Sequence, residues 1–366
     1  MIDIKRATQE TLEGSVIKSH TGIDLFTPDG TRFYPAVWTR DLAYMLEYAS
    51  ELIGQQRCED CIEYLLNGAD ANGWIPDRVY GDGYAAYTAG GGDFPAKPNL
   101  DNGPYLIIAA DAYLKTLPEE KAKELFAKWE KALCAGIDCL PKNEDGVICN
   151  ITNPPHSPYG FTDCICKTGL LSFETLLLWQ SIKLMLYWQE KFTVAREDYV
   201  AMKASIEAVF AGLFVSPEGM LYSATGIGKQ LDVWGSCYLM TVDFPLDKAQ
   251  KDKLVKWLIE NYDGIVYKGQ IRHLPAGQYW EKTLVDVPEN TYQNGAFWAT
   301  PVAWFAQALM GYDPALAKKT VEDLLVFFEE KGIFECVYAP NDYYKLDTYV
   351  ASATNAYGAA KIVGLI

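Results

Sequence analysis

Carboxylates, amides and aromatic rings recur together in this chain, each time just ahead of an apolar helical pattern. The first cluster is Trp38-Thr39-Arg40-Asp41. The second region holds Gly73-Trp74-Ile75-Pro76-Asp77-Arg78, glycine-rich turns at 81–83 and 90–92, and then Asp101-Asn102-Gly103-Pro104-Tyr105. A third is Tyr159-Gly160-Phe161-Thr162-Asp163, with Lys167 just after, and a fourth is Asp232-Val233-Trp234-Gly235. The fifth runs from Tyr279-Trp280-Glu281-Lys282 to Glu289, Tyr292, Asn294, Gly295 and Trp298. A sixth, Asn341-Asp342-Tyr343-Tyr344, is less distinctive. This mixture suits a sugar. Asp, Asn and Arg make paired hydrogen bonds to hydroxyls, and Trp or Tyr offers a flat apolar body with a polar tip to a pyranose face. Two carboxyls can then break a glycosidic bond, one protonating the leaving oxygen and the other activating water.

Each member also has an ordinary structural explanation. Asp101, Asp163 and Asp232 precede helices and could cap their free N–H groups. Arg40 and Asp41 could be a structural ion pair, and Trp38, Trp234 and Trp298 could be core. Glu289 could favour the positive end of a helix dipole. Capping does not explain why acids, amides and rings occur together in five of six loops.

The elements that must hold these clusters are helices. Leu42, Met45, Leu46, Ala49 and Ile53 follow the i, i+3, i+4, i+7 spacing of one helix face. Similar patterns predict helices near 3–15, 56–68, 103–116, 119–137, 168–191, 196–213, 231–243, 246–261, 291–311, 313–331 and 349–364. Two kinds alternate. The segments 168–191, 291–311 and 349–364 are apolar almost all round and must be buried, whereas 119–137, 246–261 and 313–331 carry a charged face. Apolar helices begin near 36, 103, 168, 231, 291 and 349, a period of about 58–67 residues, which signals repeated architecture. Short links join inner to outer helices, and long ones lead back inward. Six inner and six outer helices, the N-terminal one completing the outer ring, make an all-α (α/α)6 toroid. Residues 1–366 are expected to form this one ring as a single catalytic domain. All inner helices run the same way, so every long loop opens at one mouth, where chemistry usually sits.

Composition narrows the partners. With 32 basic and 48 acidic residues, the net charge is −16, which disfavours nucleic acid and anionic membrane surfaces. No stretch has the roughly 20 apolar residues of a membrane span, and Met1-Ile2-Asp3-Ile4-Lys5-Arg6 lacks the apolar core of a signal peptide. His20, His156 and His273 are far apart, so a histidine metal site is not expected, nor is any cofactor. Cys58 and Cys61 form a lone Cys-x-x-Cys in a charged helical stretch, and nine cysteines cannot all pair within one chain. Reduced thiols and a cytoplasmic location are the expectation.

The chain resembles the six-hairpin glycosidase superfamily. Val37-Trp38-Thr39-Arg40-Asp41 is similar to the W-x-R-D signature of inverting α-mannosidases and α-glucosidases. Gly73-Trp74-Ile75-Pro76 with Asp101-Asn102 looks like the G-x-I-P stretch and acidic cluster of amylo-α-1,6-glucosidase-like domains. Gly160-Phe161-Thr162-Asp163 stands where trehalase-like members carry their acid, and Tyr292 to Trp298 is similar to a Y-x-N-G-x-W element. The context of the acid departs from the usual G-[MW]-D-x-S, reading Phe161-Thr162-Asp163-Cys164. The resemblance implies an inverting, exo-acting glycosidase on an oligosaccharide, with Asp163 as general acid and Glu289, or its rival Glu281, as base. It also implies that Arg40, Asp41, Asp77, Asp101 and Asn102 hold the terminal sugar, while Trp38, Trp234, Trp280 and Trp298 stack on it or wall the pocket. Arg78, Lys167, Asp232, Tyr292 and Asn294 complete the expected substrate contacts. The alternatives are a non-catalytic carbohydrate-binding toroid, or a sugar epimerase or polysaccharide lyase on the same scaffold; a phosphorylase would want a more basic pocket.

Overall fold

A computed structural model describes residues 1–366. Its helices are α1 (Ile4–Gly14), α2 (Thr39–Ile53), α3 (Gln55–Leu66), α4 (Asn102–Leu114), α5 (Glu119–Asp138), α6 (Ser172–Phe192), α7 (Glu197–Phe214), α8 (Val233–Thr241), α9 (Lys248–Glu260), the one-turn α10 (Tyr262–Ile265), α11 (Val302–Met310), α12 (Pro314–Lys331) and α13 (Val350–Ile362). Helices α2, α4, α6, α8, α11 and α13 each pack on the next, and α13 returns to α2. That closed circuit is the inner ring. The outer helices α3, α5, α7, α9, α12 and α1 pack against α2, α4, α6, α8, α11 and α13 respectively, and α3, α5 and α12 also reach the next inner helix. The chain is an (α/α)6 toroid.

The alternation of apolar and amphipathic segments explains this layering. Nearly every residue of α4 and α13 is buried, because a ring neighbour or an outer helix covers each side. The outer α9 buries only Leu254, Val255 and Leu258 and turns its lysines to solvent. Leu, Ile, Trp and Phe side chains fill the ring as one connected cluster of 101 buried residues. No helix is long and apolar enough to cross a membrane.

The fifth inner helix is shorter than its apolar run suggests. The sequence pattern predicts a helix over 291–311, but α11 starts at Val302. Asn290 (φ 62°), Tyr292 (φ 38°) and Gly295 (φ 114°) lie in the left-handed region, which a right-handed helix excludes, and Pro301 stands at the N-cap. Residues 291–301 therefore form turns at the mouth. Two short sheets also appear there: Ala36–Trp38, Arg78–Tyr80 and Ala85–Ala86 in one, and the hairpin Phe334–Tyr338 with Tyr343–Asp347 in the other.

One contact sets the spacing between neighbours. A Cβ on Gly103 would stand 2.1 Å from the Gly136 carbonyl oxygen, so α4 and α5 touch backbone to backbone. Gly103→Ala must push these helices apart. Overpacking of this kind costs about 1–3 kcal/mol, and urea denaturation should show an unfolding free energy lowered by that amount, as a lower midpoint with an unchanged slope.

Candidate active site

A cavity of about 560 Å³ opens at the mouth of the ring. Five loops line it: the first with Tyr34, Trp38, Arg40 and Asp41, the second with Ala89 and Phe94, the third with Gly160, Phe161, Asp163 and Cys164. The fifth supplies Val285 to Pro288, Thr291 and Tyr292, and the sixth Glu335, Tyr343, Lys345 and Tyr349.

Arg40 is the hub of the floor. It is 3% exposed, and its Nη2 donates to Asp77 Oδ1 at 2.5 Å while Nε donates to Asp101 Oδ2 at 3.0 Å. A third acceptor, Asn102 Oδ1, lies at 3.3 Å. Burying a guanidinium is tolerable only with such pairing. Asp101 Oδ2 also accepts from the Gly160 N–H at 2.7 Å, which ties the second loop to the third. Gly160 must be glycine here, because a Cβ would lie 1.6 Å from Arg40 Nε. Asp101 thus caps no N–H of α4 and spends its oxygens on Arg40 and Gly160. Asp232, in contrast, caps α8 by accepting from the Gly235 N–H at 2.9 Å.

Asp163 sits at the end of a short 3-10 turn, Gly160–Thr162, and is 7% exposed. Burial pushes its carboxyl up to about 7, against the pull of Arg40 and of Gln293. Gln293, fully buried in the fifth loop, clamps the turn. Its Nε2 donates to Asp163 Oδ1 at 2.8 Å and to the Gly160 carbonyl at 3.2 Å, and its Oε1 accepts from the Cys164 N–H at 2.9 Å. With Oδ1 so engaged, Oδ2 is the oxygen left to carry a proton. Asp41, which accepts from Tyr349 Oη at 2.8 Å, is likewise raised to about 7 by burial.

A second buried carboxyl reaches the same cavity from the sixth loop. Glu335, on strand Phe334–Tyr338, is 1% exposed. Its Oε2 pairs with Lys345 across the hairpin, and its Oε1 accepts from Tyr34 Oη at 3.2 Å. Burial raises its carboxyl, while Lys345 and Tyr34 pull it back toward the charged form. Tyr34 and Tyr292 line the same cavity as both acids; burial raises the two phenols, and the charges of Glu335 and Asp163 add to it.

The structure redistributes the other expected residues. Glu281 and Glu289 are exposed and do not line the cavity, and the Glu281 carboxylate accepts from the Gly228 N–H at 2.9 Å. The expectation that one of them faces Asp163 is corrected: the loop lines the cavity with Val285 to Pro288, Thr291 and Tyr292, while both glutamates stay outside it. Asp77, Asp101 and Asn102 lie beneath the floor around Arg40, and Arg78 pairs with Asp77 at 2.7 Å and lies over Trp38. Trp234, Trp280 and Trp298 are scaffold rather than cavity walls. Their indole N–H groups donate to the carbonyls of Ile271, Gln293 and Tyr292, and Trp234 stacks on His273 at 3.7 Å. Asn294 links Trp280 N to the Val287 carbonyl. Lys167 is fully buried beside Glu174, with its ammonium over Trp280. Of the expected rings, Trp38 and Tyr292 face the cavity, and the Trp38 indole N–H has no protein partner. Glu335 escaped the sequence reading; its signal is a single acid inside the apolar run Ile333-Phe334-Glu335-Cys336-Val337-Tyr338. No group of three or more His, Cys, Asp or Glu side chains is disposed to hold a metal, and all nine cysteines are free.

No protein-family model matches the chain, and no curated protein matches it. Among solved structures it is similar to the GH63 mannosylglycerate hydrolase from Thermus thermophilus in complex with glucose, at 12% identity and a TM-score of 0.73, over 99% of this chain and 100% of that one. A glucoamylase from Saccharomycopsis fibuligera matches at 12% identity and 0.67, over 99% and 95% of the two chains. A rhamnosidase from Klebsiella oxytoca with rhamnose bound matches at 12% and 0.66, over 97% of this chain and 62% of that one. The likeness is one of fold: the chain has the six-hairpin (α/α)6 architecture that these proteins share.

The clamp can be checked directly. Gln293→Leu removes a donor that favours the ionised form of Asp163. The Asp163 carboxyl should then titrate above about 7, as followed by carbon-13 carboxyl NMR, and an unmoved midpoint would show that the clamp has no electrostatic role.

Proposed function

We propose that the chain is a glycoside hydrolase, inverting and exo-acting, with Asp163 as general acid and Glu335 as general base. Of the three buried carboxyls in the cavity, Asp41 is held by Tyr349; the observation that carries this reading is that the other two, Asp163 and Glu335, enter from different loops with unlike neighbours. Asp163, raised to about 7, holds a proton to give. Burial raises Glu335 too, and the Lys345 ammonium against it pulls it back toward the charged form that accepts one. Two carboxyls with environments that differ in this way are suited to opposite halves of an acid–base reaction. The six-hairpin neighbours named for glycosidase activities support the glycoside hydrolase reading.

The chemistry is a single displacement. A water held by Glu335 attacks the anomeric carbon from the face opposite the leaving group, and its proton passes to Glu335. The bond from the anomeric carbon to the glycosidic oxygen breaks, its electron pair stays on that oxygen, and the Asp163 proton neutralises it. Inversion of this kind wants the carboxyls about 6.5–9.5 Å apart, with room for the water. Asp41, Arg40 and the free Trp38 N–H supply hydrogen bonds to a terminal sugar at the floor. Phe161 and the hydroxyl-linked Tyr44, Tyr105 and Tyr159 fill the ring below it, which supports a blind-ended site and exo action. His20, His156 and His273 all lie outside the cavity, which weighs against a histidine-dependent epimerase. A single catalytic ring over 1–366, a reducing compartment for the nine thiols and a sugar rather than a nucleic acid as ligand belong to the same proposal.

A panel of α- and β-linked glycosides, with the anomer of the fresh product read by proton NMR, tests the activity and its stereochemistry. Asp163→Asn and Glu335→Gln should each lower turnover by about 10²–10⁴-fold while sugar binding persists; wild-type-like turnover in either variant defeats its role. In the wild-type protein kcat/KM should fall on the alkaline side with a midpoint near 7, as Asp163 loses the proton it must donate. On the acid side it should fall as Glu335 gains one, at a pH above the ordinary glutamate range.

A further inference from the structure

We infer that the leaving group of this enzyme is uncharged and apolar, an alkyl or aryl aglycone; this rests on the reading of Asp163 and Glu335 as the cleaving pair. The cavity is graded with depth. Its floor is polar and buried, with Arg40, Asp41, Asp163 and Glu335 all under 8% exposed. Its outer wall is mostly apolar, with Phe33, Phe94, Val285, Val287 and Pro288, and the one hydroxyl beside them, Thr291 Oγ1, donates to the Pro288 carbonyl at 2.6 Å. In a blind-ended site the terminal sugar fills the floor, so this wall meets whatever the glycosidic oxygen is attached to. Phe33 is 65% exposed, packed edge-on against Tyr34 at 4.9 Å. Of the exposed large apolar side chains, Phe33 is the one that lines the cavity, where it continues the apolar wall.

A second sugar would fit this wall poorly. Its hydroxyls need donors and acceptors, yet the only charged side chain on the outer wall is Asp286. The one cation of the cavity besides the buried Arg40, Lys345, is already paired with Glu335 and hydrogen-bonded to Tyr34 Oη at 2.8 Å. An anionic aglycone would meet Asp286 and a chain of net charge −16. An apolar group meets none of these costs and removes the exposed wall from water.

Alkyl glycosides of the sugar selected by the panel above provide the test, because methyl, butyl and hexyl leaving groups have nearly the same basicity. Full burial of one methylene is worth roughly a fourfold gain, and a half-open wall gives part of it. We expect kcat/KM to rise at least about tenfold from methyl to hexyl. In Phe33→Ser and Val285→Ser the hexyl-to-methyl ratio should fall toward one; taken within a single variant, the ratio cancels any general loss of folding or catalytic power. A flat series with the methyl glycoside still cleaved, or a disaccharide of the same sugar cleaved faster than the hexyl glycoside, overturns the inference and leaves the catalytic pair standing. If no glycoside of the panel or series is cleaved, the catalytic reading fails and this one with it.

Discussion

The mouth of the ring is organised around one buried cation. Arg40 cannot leave its guanidinium unpaired among apolar helices, because an uncompensated buried charge costs several kcal/mol. It is therefore held by Asp77 and Asp101 from the second loop, and Asp101 in turn holds the Gly160 N–H of the third. Three loops that a purely hydrophobic contact would leave free to slide are fixed in register by directional bonds. The turn that carries Asp163 inherits its position from this network, and Gln293 closes it from the opposite side. The acid is thus set by groups in four segments, which is the kind of support a carboxyl needs to hold one orientation at the bottom of a cavity.

Much of this was legible in the amino-acid order. Helices that are apolar all round alternated with helices that carry a charged face, and this gave both the ring and the common direction of its loops. Clusters such as Trp38-Thr39-Arg40-Asp41 and Asp163 stood out because polar residues are expensive next to buried helices. What the pattern could not separate is an acid that meets a ligand from one that braces another side chain. Asp101 and Asp77 look like Asp41 in sequence, and only the direction of Arg40 distinguishes them. The tryptophans misled for a similar reason: Trp234 and Trp298 stand beside polar clusters, yet rings of that size are what closes the middle of a wide toroid.

The fifth and sixth loops were the hardest to read. Hydrophobic periodicity is blind to backbone sign, so the left-handed turns at Asn290, Tyr292 and Gly295 were hidden inside an apolar run, and two exposed glutamates looked nearer the site than they are. Glu335 was masked differently. A strand places alternate residues on opposite faces, so a lone acid between Phe334 and Cys336 can point into a cavity while its neighbours join the core. Its partner Lys345 lies ten residues on, opposite Cys336 in the hairpin, a pairing that helical spacing rules do not reveal.

Ring closure bears on the order in which such a molecule can assemble. The seam lies where α13 meets α2 and α1, and the cavity straddles it: Tyr349 reaches Asp41 and Tyr34 reaches Glu335 across some three hundred residues of sequence. Contacts so distant along the chain carry the largest loop-closure entropy and form late. Five hairpins can pack progressively as neighbours become available, but the wall that bears Glu335 arrives only with the last. Until then the partial ring would expose apolar flanks of α2 and α13 to other chains. Closure of the ring and completion of the cavity rest, in this architecture, on the same contacts.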